Sequence, residues 1–299
     1  MGSGLIHQSV HDARADGMST KTPSTRQGED AFLASYDPSQ YPTFALTVDL
    51  TIFTIRNGAL CVLLIERGDH PYKGFWALPG GHVVHSVENA ETAAIRELGE
   101  ETGLDWGSLG AGHLEQVRTY SDPDRDPRVK SGLHVASIAY FALAPDLPDP
   151  RAGTDASAAR YWPVADLDLA TQARHWQDRS AYPGDAPALA YDHARILSDS
   201  LERVRAKLEY TTLATRFVSE PFSLNDLRRV YVAVWGAAPD LGNFRRKVLS
   251  TEGFVRPAAQ KAGSSASDRG GPRPMLYLRG EAALLHPAML RTPTSVHEC

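Results

Sequence analysis

A chain of 299 residues, 42% hydrophobic and 22% charged, has the balance of one large or two modest globular domains. No apolar run approaches the roughly 18 residues of a membrane span, and the first 38 residues lack the apolar core of a secretory signal. Two cysteines, Cys61 and Cys299, make neither a disulfide framework nor a CxxC metal site, which points to a cytoplasmic protein; the net charge of −5 singles out no partner.

In chain order, residues 1–38 are polar and without periodicity, and read as a disordered leader. "TFALTVDLTIFTIRNGALCVLLIERG" gives two β-rich runs around Asn57-Gly58, the strongest short hairpin signal. "GFWALPGGHV" ends a strand in a Gly-Gly turn. A helix follows over Asn89–Glu101, with Asn89 as N-cap, Ala94, Ile95 and Leu98 as its apolar stripe, and Gly103 ending it. "HLEQVRTY" and "HVASIAYFALA" read as strands flanking a charged loop, "SDPDRDPRVKSG", and "RYWPVADL" as a last strand. Strands around one long helix make a mixed α/β domain over residues 39–182.

After a break at Pro183–Pro187, Asp192 is the expected cap of a long helix. Its Leu197, Leu201, Val204 and Leu208 share one face, and it links the two parts over residues 183–211. "FSLNDLRRVYVAVWG" is a helix capped by Ser223 and closed by Gly236, and "NFRRKVLS" is a short basic helix. "GFVRP" and "PMLYLRG" are two short strands around a long Gly/Ser-rich loop. Helix, turn, basic helix and hairpin is the order of a winged helix-turn-helix, here residues 212–282, with 283–299 as a tail. That segment holds eleven Lys and Arg against six Asp and Glu, a balance of +5 on a remainder of −10. Two parts of opposite sign suggest two kinds of partner.

"RELGEETGL", Arg96–Leu104, raises a question of charge. On a helix, Glu97, Glu100 and Glu101 project from one face and repel each other by a few tenths of a kcal/mol per pair, about the size of one surface pair. A hard divalent cation reverses the sign, because Mg²⁺ takes carboxylates together with substrate phosphates and water. A solvated acidic face with Arg96 as local counter-ion is the competing reading.

The surrounding residues decide between them. "GGHVVHSVENAETAAIRELGEETGL" resembles the Nudix box from Glu88 onward, through Arg96, Glu97, Leu98, Glu100, Glu101, Gly103 and Leu104. Six residues separate Gly81 from Glu88 where the box has five, so the loop before the helix carries one extra residue. The chain is further similar, over about residues 36–280, to the Nudix-related transcriptional regulators, in "YPTFALTVDL", "HLEQVRTYSDPDRDPR", "YDHARIL", "KLEYTTLATRF", "FSLNDLRRVY" and "NFRRKVL".

The resemblance implies a Nudix α/β/α sandwich with a mixed sheet, followed by a winged helix. It implies Mg²⁺ (or Mn²⁺) on Glu97, Glu100 and Glu101, with Arg96 holding them in register. Gly80 and Gly81 would let the backbone approach metal and phosphates, and Glu88 belongs to the same loop. Asp122, Arg125 and Asp126, with Asp124 and Arg128, are candidates to cover the nucleotide. The base that takes the proton from water is Glu101 or a carboxylate of Asp122–Asp126. Arg245, Arg246 and Lys247 would touch DNA. The implied activity is pyrophosphohydrolysis of a nucleoside diphosphate derivative of the ADP-ribose class, in a nucleotide-responsive regulator. The alternatives are a non-catalytic ADP-ribose sensor and a metabolic enzyme with a structural winged helix. The expected partners are a nucleotide, double-stranded DNA and a second copy in a homodimer, with no membrane.

Overall fold

The computed structural model describes residues 26–102, 105, 113–145, 147–150, 156–178, 186–259 and 274–291, except the side chains of 26, 27, 101, 102 and 156. The chain divides into two compact units, Met1–Thr43 and Phe44–Cys299. Most of the expected leader lies outside the described residues. Its described part holds a helix the sequence reading lacks, α1 (Arg26–Ser35), and a 3-10 turn (Pro38–Gln40) capped by the Asp37 carboxylate. Every described side chain of α1 is exposed, so no buried stripe announces it.

In the second unit, β1 (Phe44–Arg56) and β2 (Ala59–Arg67) form the expected hairpin. Asn57 and Gly58 both take positive φ, 52° and 80°, as a tight turn between right-twisted strands requires. β3 (Trp76–Ala77) pairs with β2, and β4 (Gly80–His82) pairs with β1, so Gly80 and Gly81, expected as a turn, lie in a short strand opposite Asp49 and Val48. Then come α2 (Ala90–Thr102), β5 (His113–Tyr120), β6 (His134–Leu143) and β7 (Ala156–Pro163). The sheet order is β3-β2-β1-β6-β5, with β7 also on β2. β1 and β6 run parallel and the other pairs antiparallel, so the sheet is mixed.

The alternation of β1 sorts the two faces. Val48, Leu50 and Ile52 meet Ala93, Ala94 and Leu98 of α2. Phe53, on the other face, joins Phe141, Leu143 and the buried side of α4 (His193–Tyr210), which follows the short α3 (Leu169–Arg174). Thr51 bonds Ser200 of α4 at 3.1 Å on that same face. Helices on both faces of a mixed sheet make the α/β/α sandwich.

Beyond α4 come β8 (Phe222–Ser223), α5 (Leu224–Trp235), α6 (Leu241–Ser250), β9 (Val255–Pro257) and β10 (Leu276–Arg279). Ser223 and Asp226 form a full capping box, and Gly236 closes α5 at φ 75°. α6 begins at Leu241, two residues before the expected start, because Asp240 accepts from Asn243 N. The small sheet runs β8-β10-β9, which completes the winged helix; β8 is too short to be seen in the sequence. The loop of the wing, residues 260–273, lies outside the described residues.

One hydrophobic cluster spans both parts. It runs from Phe53, Val62 and Phe141 through Leu197, Leu201, Val204 and Leu208 to Leu227, Tyr231, Phe244 and Tyr277. The helix that joins the parts contributes to the core of each. The segment after β10 returns to it, with Leu285 N and Met289 N donating to the carbonyls of Tyr210 and Glu209 at 2.8 and 2.6 Å. Among the described residues, no helix is long and apolar enough to cross a membrane.

Candidate active site

The acidic cluster is built on α2. Asn89 Oδ1 accepts from Thr92 N at 2.9 Å, the expected cap. Burial of Ala93, Ala94 and Leu98 against the sheet fixes the rotation of the helix and turns Arg96 and Glu97 toward the glycines of β4. Arg96 is the hub. Its Nη1 lies 2.8 Å from both Glu97 Oε1 and Glu100 Oε2. Its Nη2 reaches Glu88 Oε1 at 2.7 Å and the His82 carbonyl at 3.0 Å. These bonds, that to Glu88 foremost, push the guanidinium pKa further up and draw that of Glu88 down.

The extra loop residue is absorbed locally. Ser86 takes φ 61°, and the amides of Val87 and Glu88 both fold back on the Val84 carbonyl. Glu88 Oε1 accepts from Val84 N at 2.9 Å, so Glu88 still reaches Arg96.

Gly80 and Gly81 carry the closest approach in the site. A Cβ on Gly81 would fall 2.2 Å from Glu97 Oε1, and one on Gly80 would fall 2.1 Å from the Val48 carbonyl. Only glycine lets this backbone lie against the carboxylate. Glu97 is 8% exposed, and burial pushes its pKa up against the pull of Arg96. A buried carboxylate beside the exposed carboxylate of Glu100 offers the oxygen donors that a hard divalent cation takes. Glu100 is exposed and shares Arg96 with Glu97. The side chain of Glu101, the third expected ligand, lies outside the described residues, and no cluster of three ligating groups occurs among the described ones.

Beside the cluster opens a cleft of about 290 Å³. Gly80, Gly81 and His82 form one wall; Arg67, Arg125, Asp126, Arg128 and Tyr191 contribute others. Beneath it lies a buried polar network of Asp49, Ser137, Arg125, Asp192 and His193, of which Asp49, Arg125 and His193 line the cleft. Asp49 Oδ2 accepts from Ser137 Oγ at 2.5 Å and lies 3.3 Å from Arg125 Nη2. Arg125 grips Asp192 at two points, 2.7 and 3.1 Å. His193 Nδ1 accepts from Leu78 N at 2.9 Å, which places its proton on Nε2, 3.4 Å from Asp49 Oδ1. Burial dominates at His193 and depresses its pKa despite both aspartates. Burial also opposes the charge of Arg125, but Asp49 and Asp192 outweigh it and raise its pKa.

Several expected residues meet here and others do not. Arg125 and Asp126 line the cleft. Burial works against the Asp126 carboxylate, yet two bonds from the Arg128 side chain and one from its amide bring its pKa down, so it is a weak base. Asp122 is turned away to Arg195 of α4 at 2.6 Å, and Asp124 is bonded by Gln177. His82, at the end of β4, also lines the cleft. Asp192 stands at the N-cap of α4 but makes no capping bond; its carboxylate goes to Arg125. Asp49, Tyr191 and His193 lie in stretches that carry the resemblance, which assigns them no role in the site. The one available signal was Asp49, a charge inside an apolar strand.

On the winged helix, α6 buries Phe244 and Val248 and leaves Arg245 and Arg246 exposed. Arg246 is bonded to Asn243 one turn earlier. Lys247 is turned aside to the Pro287 carbonyl, and burial lowers its pKa.

Residues 45–183 match the model of the NUDIX domain. The chain is 32% identical over 224 residues to an ADPR responsive transcriptional repressor, NtrR, of Acinetobacter baylyi, covering 75% of this chain and 79% of that protein. It is 36% identical over 144 residues to an ADP-ribose pyrophosphatase of Methanocaldococcus jannaschii, covering 46% of this chain and 64% of that one. Its fold is similar to the crystal structure of Shewanella oneidensis NrtR complexed with a 27mer DNA, with TM-score 0.57 and 26% identity over 79% of this chain and 93% of the other. The match to the NUDIX domain and the identity to a repressor covered over 79% of its length place this chain in the Nudix family, with the Nudix-related transcriptional regulators, and its glycine strand against a buried glutamate and its winged helix agree with that.

Proposed function

We propose that this chain is a divalent-metal-dependent Nudix pyrophosphohydrolase of the ADP-ribose class whose winged helix binds DNA in response to the nucleotide. The observation that carries the reading is the position of α4. At its N-terminus His193 lines the cleft and the cap residue Asp192 grips Arg125 of the cleft wall, and its last turns lie in the core of the winged helix. The names of the relatives, an ADPR responsive repressor and an ADP-ribose pyrophosphatase, support the choice of ligand.

Glu97, Glu100 and Glu101 would hold Mg²⁺ or Mn²⁺, held in register by Arg96. Bound there, the ion supplies Lewis-acid polarisation of the phosphoryl oxygens. Arg67 and Arg128 on the cleft wall offer fixed positive charge to the diphosphate. The backbone at Gly80-Gly81 lets that diphosphate lie close to the carboxylates. Arg245 and Arg246 would face the DNA, as the exposed charges of the second helix.

The test is a DNA shift assay on the full chain, with and without ADP-ribose and Mg²⁺, with nucleotide products measured in the same tube. Hydrolysis together with a nucleotide-dependent shift is the expected result. A shift without products would leave a sensor, and products without a shift on any upstream DNA at low salt would leave a metabolic enzyme.

A further inference from the structure

A second cavity, of about 340 Å³, lies where β5 and the end of α4 meet the winged helix. Four elements each send one basic group to its wall: His113 from β5, Lys207 from α4, Arg216 from the turn after α4, and Arg279 from β10. All four are half-buried, whereas Glu281, the acidic residue of the lining, is exposed. Glu115, behind the wall, takes up part of the charge, at 2.7 Å from Lys207 Nζ and 3.1 Å from His113 Nε2. Arg279 is held differently. Its guanidinium donates to Thr215 Oγ1 and to the Thr215 carbonyl, at 3.1 and 2.9 Å, both neutral acceptors.

Like charges drawn together around a hollow cost free energy that an anion would return. The neighbouring groups register that strain. After burial, the charge of Arg216 is the next largest influence lowering the pKa of Arg279, ahead of the opposing pull of Glu220. At His113 burial again dominates, Glu115 opposes it, and Lys207 and Arg216 add to the depression. The volume is that of a small-ligand pocket, and the convergence of Lys and Arg suits a phosphate group.

We propose that this junction is a binding site for a phosphorylated small molecule, separate from the Nudix cleft. The bound anion bridges Lys207 on the Nudix side to Arg216 and Arg279 on the winged-helix side.

The test is calorimetric titration of the full chain with inorganic pyrophosphate at matched ionic strength and without divalent metal, in an Arg67→Gln background that weakens any binding in the Nudix cleft. That background should show saturable binding. Lys207→Gln with Arg216→Gln should weaken it by at least about tenfold, because charge-assisted bonds are lost, and made in wild type should leave ADP-ribose turnover unchanged. Glu281→Gln removes the exposed negative charge and should tighten binding, which keeps the site testable if the double variant folds poorly. No saturable binding to the Arg67→Gln background, or equal binding by the double variant, would overturn the site. If pyrophosphate fails to bind while the double variant lowers the salt slope of duplex binding, the cavity receives DNA backbone phosphates and the small-ligand site is overturned.

Discussion

Asp192 sits at the N-cap position of α4 and gives its carboxylate to Arg125, at 2.7 and 3.1 Å, rather than to the amides of its own helix. A cap is worth about 1 kcal/mol, so the helix forgoes a local contact for one that reaches the loop over the cleft. The tie does not stand alone. Asp122 of that loop pairs with Arg195, and Tyr120 and Arg118 at the end of β5 both meet Asp199 at 2.8 Å. Positions 192, 195 and 199 share one face of α4. The loop and the helix are thereby held in register.

Breaking the buried pair from one side should be expensive. Arg125→Ala leaves Asp192, fully buried, without its counter-charge, and such losses cost about 3–5 kcal/mol. Replacing both by apolar residues, Arg125→Met with Asp192→Leu, should recover part of the loss, because buried Asp49 keeps Ser137 and His193 but still loses the guanidinium. Urea unfolding of the two variants checks this; equal stabilities would mean the pair carries no such penalty.

Glu97→Gln should abolish nearly all hydrolysis while leaving the melting temperature close to that of wild type. Loss of a supporting partner around a metal typically costs about 10–100-fold, so Arg96→Lys should fall in that range and Glu97→Gln beyond it. Excess EDTA should reproduce the Glu97→Gln defect. Activity that survives chelation would remove the metal from the mechanism.

Gly81→Ala probes the close approach. The added Cβ would fall 2.2 Å from Glu97 Oε1, so either the carboxylate or the strand must move. Strain of this kind costs about 1–3 kcal/mol. Turnover should drop with Glu97→Gln-like severity even where the fold survives, as measured by kcat at saturating Mg²⁺.

Acid should destabilise the protein through His193. Its pKa is lowered in the fold by burial, while the unfolded chain titrates near the free value of about 6.5. The unfolded state therefore binds more protons below that pH. The stability held by neutral His193 is complete above about pH 6.5 and is lost as the pH falls from there toward the depressed value. His82 and His113, also depressed by burial, act in the same direction. Melting temperatures between about pH 7.5 and 5.5 should fall less steeply in His193→Gln than in wild type. A parallel fall would assign the acid sensitivity elsewhere.

DNA affinity should depend on salt through Arg245 and Arg246. Each phosphate contact contributes about 0.9 to the slope of log affinity against log salt. Replacing both arginines by Ala should lower that slope by about 1 for each that touches a phosphate. Lys247→Ala should change it less, because its ammonium is already engaged by Pro287. Salt titration of the three proteins on one duplex decides the order.

The sequence was most legible where chemistry is local. Asn57-Gly58, Asn89, Ser223 and Gly236 act within a few residues of themselves, and each forms the turn or cap its type suggests. The glutamate helix was equally clear, since residue spacing alone sets its face. The floor of the cleft was not legible. Asp49, Arg125, Asp192 and His193 come together across separations such as Asp49 to Arg125, 76 positions apart. Asp192 shows the limit best: local rules assign it to a cap, and a distant arginine takes it. α1 and β8 escaped for a different reason, one having no buried stripe and the other only two residues.

The uninterrupted cluster from Phe53 to Tyr277 bears on how this molecule comes apart. Two modules joined by a flexible tether melt separately, each with its own midpoint. Here Leu197, Leu201, Val204 and Leu208 cannot leave one module without opening the other. Unfolding of Phe44–Cys299 is then a single cooperative event. Truncation after α3 would strip the sheet of the helix that covers one of its faces, so the Nudix part would not outlive the loss of the winged helix.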